Sequence, residues 1–187
     1  NSIAWIVDKP NHSILYNFGN ATKIRESFFA YDGQVYGQAP QNGSLTSRED
    51  WLSVGSNPIT NYTYDVFGNV IEERDANKHA TNYTYSTIDT TGTFPDKVTN
   101  AKLHITNYFY DLGTGNVLSE IDPNEIPTNY TYDVFGRVSS EIMPLDSFEF
   151  PTRNYTYNLD GTAPEGVKIT QREESGAADT LNTSYFY

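Results

Sequence analysis

Along residues 60–74, TNYTYDVFGNVIEER, aromatic and polar positions alternate, break at a short turn, and alternate again. A period of two places Thr60, Tyr62 and Tyr64 on one side of an extended strand and Asn61, Thr63 and Asp65 on the other. Tyrosine and threonine suit a half-buried pleated surface. Asp65-Val66-Phe67-Gly68 predicts a type I turn followed by a left-handed residue, the three-to-five-residue hairpin loop that carries a bulge. Gly68 supplies the positive φ without a Cβ penalty. The return strand is Val70–Arg74, ended by Asp75-Ala76-Asn77.

The unit recurs. TNYTYDVFGR stands at 128–137, TNYTYS at 81–86, TNYFYDLGTGN at 106–116 and RNYTYN at 153–158. The repeat positions are Tyr62, Tyr64, Asp65 and Gly68; Tyr83 and Tyr85; Tyr108, Tyr110 and Asp111; Tyr130, Tyr132, Asp133 and Gly136; and Tyr155 and Tyr157. Taking Tyr64, Tyr85, Tyr110, Tyr132 and Tyr157 as equivalent, the intervals are 21, 25, 22 and 25 residues, one hairpin per repeat. Residues 87–93 and 143–151 are insertions that lengthen two of them. An all-β fold of repeated antiparallel hairpins, forming an extended or spiralling sheet, is the expectation.

Three sections follow: 1–59 leads into the repeats, 60–158 holds them, and 159–187 continues the sheet. In the first, 2–7, 13–18 and 23–31 read as strands and 33–43 as a loop. Residues 47–52 predict a short helical turn capped at Ser47 with Asp50 three positions on, stopped by Gly55, Asn57 and Pro58. In the last section 167–172 and 181–187 are strand-like, joined by a loop at 173–179.

The motif Tyr132-Asp133-Val134-Phe135-Gly136-Arg137, and its copy with Asn69 in place of the arginine, resembles the YD or RHS repeat. The stretch from Tyr31-Asp32-Gly33 through Trp51 is similar to the segment leading into such repeats in toxin-complex-like members. The resemblance covers about 31–157. It implies a spiralling β-sheet of the kind that closes into hollow shells in toxin complexes, wall-associated proteins and teneurins. Residues 112–116 alter the turn, and Asn158 stands where the family has Asp. Neither an autoproteolytic core motif nor a toxin domain follows the repeats in this sequence.

Composition narrows the function. The formal net charge of −12 leaves no basic patch to neutralise phosphates, so nucleic acid is excluded as a partner. With no cysteine there is no thiol chemistry and no disulfide staple. No apolar run approaches the length of a transmembrane helix. A chain opening on Asn1 reads as mature or cut from a precursor, with its targeting left open.

Eight Asn-x-Ser/Thr sequons, at Asn11, Asn20, Asn42, Asn61, Asn82, Asn129, Asn154 and Asn182, exceed the roughly three expected by chance. Four are the same Asn-Tyr-Thr, so a preferred strand sequence is one explanation. The other is N-glycosylation. Asn faces away from both tyrosines in the motif, where a sugar avoids the buried side. The phenols need hydrogen-bond partners, for which Thr60, Thr81 and Thr128 are candidates.

Catalytic chemistry finds little support. His12, His79 and His104 have no metal-ligand spacing, and Glu72/Glu73 and Glu173/Glu174 read as solvated charge. The oxygens of Asp75-Ala76-Asn77 and Asp122-Pro123-Asn124-Glu125 fit turns better than Ca²⁺ loops. Nucleophile-elbow and phosphate-loop motifs are missing. The expectation is a non-enzymatic structural protein without cofactors, bearing N-linked glycans, extracellular or at the cell surface. It would self-associate by strand addition or end-to-end stacking into a filament or surface layer. The alternatives are a fragment of an RHS-type shell that encapsulates a toxin or scaffolds an adhesion receptor, and a surface carbohydrate-binding module.

Overall fold

A computed structural model describes residues 6, 8–19, 22–85, 91–159, 161, 165–174 and 176–186. Fourteen strands form one open antiparallel sheet in which spatial order follows chain order, and the described residues contain no helix. They are β1 (His12–Tyr16), β2 (Lys23–Tyr31), β3 (Leu45–Asp50), β4 (Ile59–Tyr64), β5 (Val70–Arg74), β6 (Ala80–Tyr85) and β7 (Pro95–Thr99). Then follow β8 (Ile105–Tyr110), β9 (Val117–Ile121), β10 (Pro127–Tyr132), β11 (Val138–Ile142), β12 (Arg153–Asn158), β13 (Gly166–Arg172) and β14 (Thr180–Phe186). The all-β hairpin repeat read from the alternating pattern is the fold observed. The expected strand at 2–7 falls mostly outside the described residues.

Contacts divide the chain into two units, Asn1–Thr84 with Thr99–Leu103, and Tyr85–Val98 with His104–Tyr187. In the first unit, β2 and β3 pair as Ser27↔Asp50 through Tyr31↔Leu45, and β4 and β5 as Asn61↔Arg74 through Tyr64↔Val70. The register shifts between Thr63 and Tyr64, the bulge predicted beside the turn, and likewise between Ala30 and Tyr31. In the second unit the same shift falls between Phe109 and Tyr110 and between Thr131 and Tyr132. The β12–β13 pairing runs without one.

Residues 45–50 are strand β3, not a capped helical turn. Pairing decides this: Ser47 lies between Ala30 and Asn61, and Arg48 between Phe29 and Thr60. Backbone groups that a lone helical turn would leave open are satisfied on both sides, which overrides weak local propensity.

A second difference concerns burial. Only Tyr31 and Ile142 are buried apolar residues among those described, and the repeat tyrosines are half-buried. The sheet is one layer, so rings on the tyrosine face cover one another and their neighbours' backbone without being enclosed in a dry interior. Cohesion comes mainly from strand pairing and from side chains that reach the next strand.

Candidate functional site

The Asp of each Tyr-Asp pair organises its turn. Asp65 Oδ1 accepts the N–H groups of Phe67 and Asn69 at 2.9 Å each, while the Asp65 carbonyl accepts Gly68 N–H at 3.2 Å. Asp133 repeats this with Phe135 at 2.8 Å and Arg137 at 3.0 Å, and Asp111 with Gly113 at 2.8 Å and Thr114 at 3.0 Å. Gly68, Gly115 and Gly136 hold the left-handed position at φ 91°, 77° and 76°. Desolvation pushes the Asp65 and Asp133 carboxyls up, but their donors outweigh it: Asn69 and the Phe67 and Gly68 N–H groups at Asp65, and the Arg137 side chain and local N–H groups at Asp133. Both pKa values are lowered.

Where the first copy departs from the motif, Asn69 compensates. Its amide donates to Asp65 Oδ2 at 3.0 Å, the oxygen that in the second copy receives Arg137 Nε at 2.7 Å. Arg137 does more, lying 4.2 Å over the ring of Tyr157 and 5.0 Å over Phe135.

The turns between repeats use the same device. Asp75 Oδ1 accepts His79 N–H, and Asp122 Oδ1 accepts Asn124 and Ile126 N–H, all at 2.8 Å. These carboxylates hold turns, as their spacing suggested. The left-handed position is occupied by Lys78 at φ 70° and Glu125 at φ 63°, not by glycine.

In five of these segments the last tyrosine before the turn forms a latch. Its phenol donates to a carbonyl at or just before the start of the preceding strand: Tyr31 to Pro10, Tyr64 to Leu45 and Tyr132 to Val117 at 2.7 Å, Tyr157 to Val138 at 2.8 Å, and Tyr110 to Pro95 at 3.0 Å. Wherever the register is given, the acceptor stands opposite the residue before the tyrosine, as Val117 stands opposite Thr131 by continuation of the β9–β10 pairing. Threonines are therefore not the phenol partners expected from the sequence. A backbone carbonyl has no residue identity, so no letter of the sequence marks it. Tyr31 belongs to this series, which begins one hairpin earlier than the Thr60 copy. Asp32 beside it gathers the N–H groups of Gln41, Asn42, Gly43 and Ser44 between 2.6 and 3.1 Å.

The first tyrosine of each motif faces a glutamate on a neighbouring strand. Tyr62 pairs with Glu73, Tyr108 with Glu120 and Tyr130 with Glu141. Burial, then these carboxylates, raises the phenol pKa values of Tyr62, Tyr108 and Tyr130. Glu73 is thus a half-buried member of the tyrosine face, not solvated charge. Glu72 lies on the opposite face, and Arg74 Nη2 donates to it at 2.7 Å.

That opposite face carries the asparagines of the sequons that lie in strands. Ser119 pairs with Asn129, Ser140 with Asn154, and Asn154 with Thr170, which pairs with Asn182. Asn11, Asn42, Asn82, Asn154 and Asn182 are exposed, and Asn61 and Asn129 are half-buried. Asn20 lies outside the described residues.

Two features of the second unit were not legible beforehand. The insertion after β11 is pinned by Asp146, whose side chain is fully buried: Thr152 Oγ1 donates to it at 2.5 Å, Gly176 N–H at 2.8 Å, and Arg172 Nε lies at 3.5 Å. A groove of about 700 Å³ runs over β9 and β10, lined by Leu118, Ser119, Asn129, Thr131 and Val134 and overhung by Phe148 from that insertion. A smaller one, about 380 Å³, adjoins Asp146, Phe150 and Arg172.

The histidines do not converge. His12 bonds Glu26 at 2.7 Å and stacks on Phe28, His79 meets Asp75 at 3.1 Å, and exposed His104 precedes β8. Among the described residues no group of three or more His, Asp or Glu side chains is arranged to hold a metal ion. Nor is any helix among the described residues long and apolar enough to cross a membrane.

No protein-family model matches the chain. Nor does any curated protein. Among solved structures it is similar to a chain of the TcdB2-TccC3-Cdc42 crystal structure, with 15% identity and a TM-score of 0.47 over 94% of this chain and 9% of that one. It is also similar to TcdB2-TccC3, at 13% identity and a TM-score of 0.40 over 94% of this chain and 12% of the other. A chain of the Photorhabdus luminescens Tc holotoxin pore matches at 12% identity and a TM-score of 0.36, over 95% and 13%. This chain thus spans about a tenth of the length of the chains it matches.

Proposed function

We propose that the chain is a structural element: an N-glycosylated, extracellular β-repeat sheet that associates with further copies through strand addition. One observation carries this reading. The second phenol of the motif and its turn aspartate are engaged in holding one strand to the next or closing a turn. β1 and β14 each pair on one side among the described strands and have every residue exposed, so both offer backbone groups to an added strand. The exposed Asn154 and Asn182 lie on the face away from the tyrosines, where a sugar clears the latches.

The chain would then work by mechanical continuity and not by turnover. Chain secreted from a eukaryotic host, weighed intact and imaged in negative stain, tests this. Hexose-bearing mass and filaments or sheets are expected; a bare monomer would overturn the reading.

A second reading, a wall section of an RHS-type shell enclosing a toxin or scaffolding an adhesion receptor, is favoured by the strand order. A sheet without crossovers lengthens simply by adding repeats. It predicts a much longer parent reading frame with a variable segment after the repeats.

A further inference from the structure

The groove over β9 and β10 contains a sequon, Asn129-Tyr130-Thr131. Asn129 is half-buried, as is its equivalent Asn61, while Asn82 and Asn154 are exposed. About 700 Å³ falls within the ~300–1,000 Å³ typical of sites that hold small molecules.

The lining is suited to a pyranose. Ser119 stands directly opposite Asn129, and Thr131 follows on the same face, its Oγ1 2.7 Å from Ser139 Oγ; these hydroxyls can serve sugar hydroxyl and acetamido groups. Leu118 and Phe148 supply apolar surface, and Phe148 is 69% exposed while lining the groove. The C–H face of a sugar carries partial positive charge and meets the negative face of an aromatic ring favourably.

We propose that the groove seats the first N-acetylglucosamine of a glycan attached to Asn129 itself, with Phe148 stacked on the sugar. This rests on the glycosylated reading given above and adds that one glycan is built into the fold while those on Asn154 and Asn182 stand in solvent. The residue that ties the groove to this occupant is Asn129, whose side-chain nitrogen is the attachment atom. The Phe148 loop reaches the groove because its insertion is held by Asp146, Thr152 and Arg172.

The test uses chain secreted from a eukaryotic host, treated undenatured with a peptide-N-glycosidase, with site-by-site release followed by glycopeptide mass spectrometry. Release at Asn129 is expected to lag release at Asn154 by about tenfold or more, the ratio given by about 1.4 kcal/mol of sugar–protein contact. Phe148→Ala is expected to remove most of the lag without lowering occupancy at Asn129. Denatured chain releases both sites together. Equal native rates at Asn129 and Asn154, or a vacant Asn129 beside an occupied Asn154, would overturn the seated glycan and leave the glycosylated reading standing. Absence of sugar at every sequon would overturn both.

Discussion

At the scale of single residues, the tyrosine before each turn is the informative position. Replacing Tyr132 by Phe keeps the ring and deletes its bond to the Val117 carbonyl, and is expected to cost about 0.5–1.5 kcal/mol in chemical denaturation. Tyr64→Phe should behave alike. Burial raises the phenol pKa values of Tyr64, Tyr110 and Tyr132 above 10.0, so the folded state favours their neutral, donating form. Their contribution is complete below pH 10 and is lost as the pH climbs from there through the raised folded values. A stability–pH profile should therefore fall on the alkaline side, and less steeply in a Tyr64→Phe/Tyr132→Phe variant; an identical fall in both would contradict the latch.

At the scale of the hairpin, the left-handed position sets the strain. A Cβ at Gly68 meets nothing within 4 Å, whereas at Gly115 it would lie 2.9 Å from the Phe94 ring, which stacks on Tyr110. Both alanine variants bear the conformational cost of about 1 kcal/mol or more, and Gly115→Ala adds a displaced ring, so it should lower the melting temperature further. Conversely, Lys78→Gly and Glu125→Gly relieve an L-residue of positive φ, and each is expected to stabilise by about 1 kcal/mol in thermal unfolding.

These turns also show what was readable in advance. Asp65 with Gly68 and Asp133 with Gly136 declare their geometry, because Asp and Gly have local reasons to be there. Lys78 and Glu125 do not, since their conformation is imposed by the strands they join. Strand β3 departs from its local pattern for the same reason: Ser47-Arg48-Glu49-Asp50 has no apolar alternation, and its neighbours decide its state. The Asn129 sequon was legible; the groove around it was not, because Phe148 arrives from an insertion outside the repeat pattern.

At the scale of the whole molecule, a one-layer sheet with few buried apolar residues differs from a domain closed around a core. Unfolding it exposes less new apolar area per residue. Scanning calorimetry of the unglycosylated chain should accordingly give a heat-capacity increment below the usual ~12–15 cal/mol/K per residue. Stability in such an array is summed over neighbour-to-neighbour terms, and loosening one latch should be felt locally. Hydrogen exchange on a Tyr132→Phe variant tests that claim most directly. The account predicts faster amide exchange in β9 and β10, where the latch spans Val117 and Tyr132, with β12–β14 unchanged. Unaltered protection in β9 and β10, or a uniform loss along the chain, would contradict it.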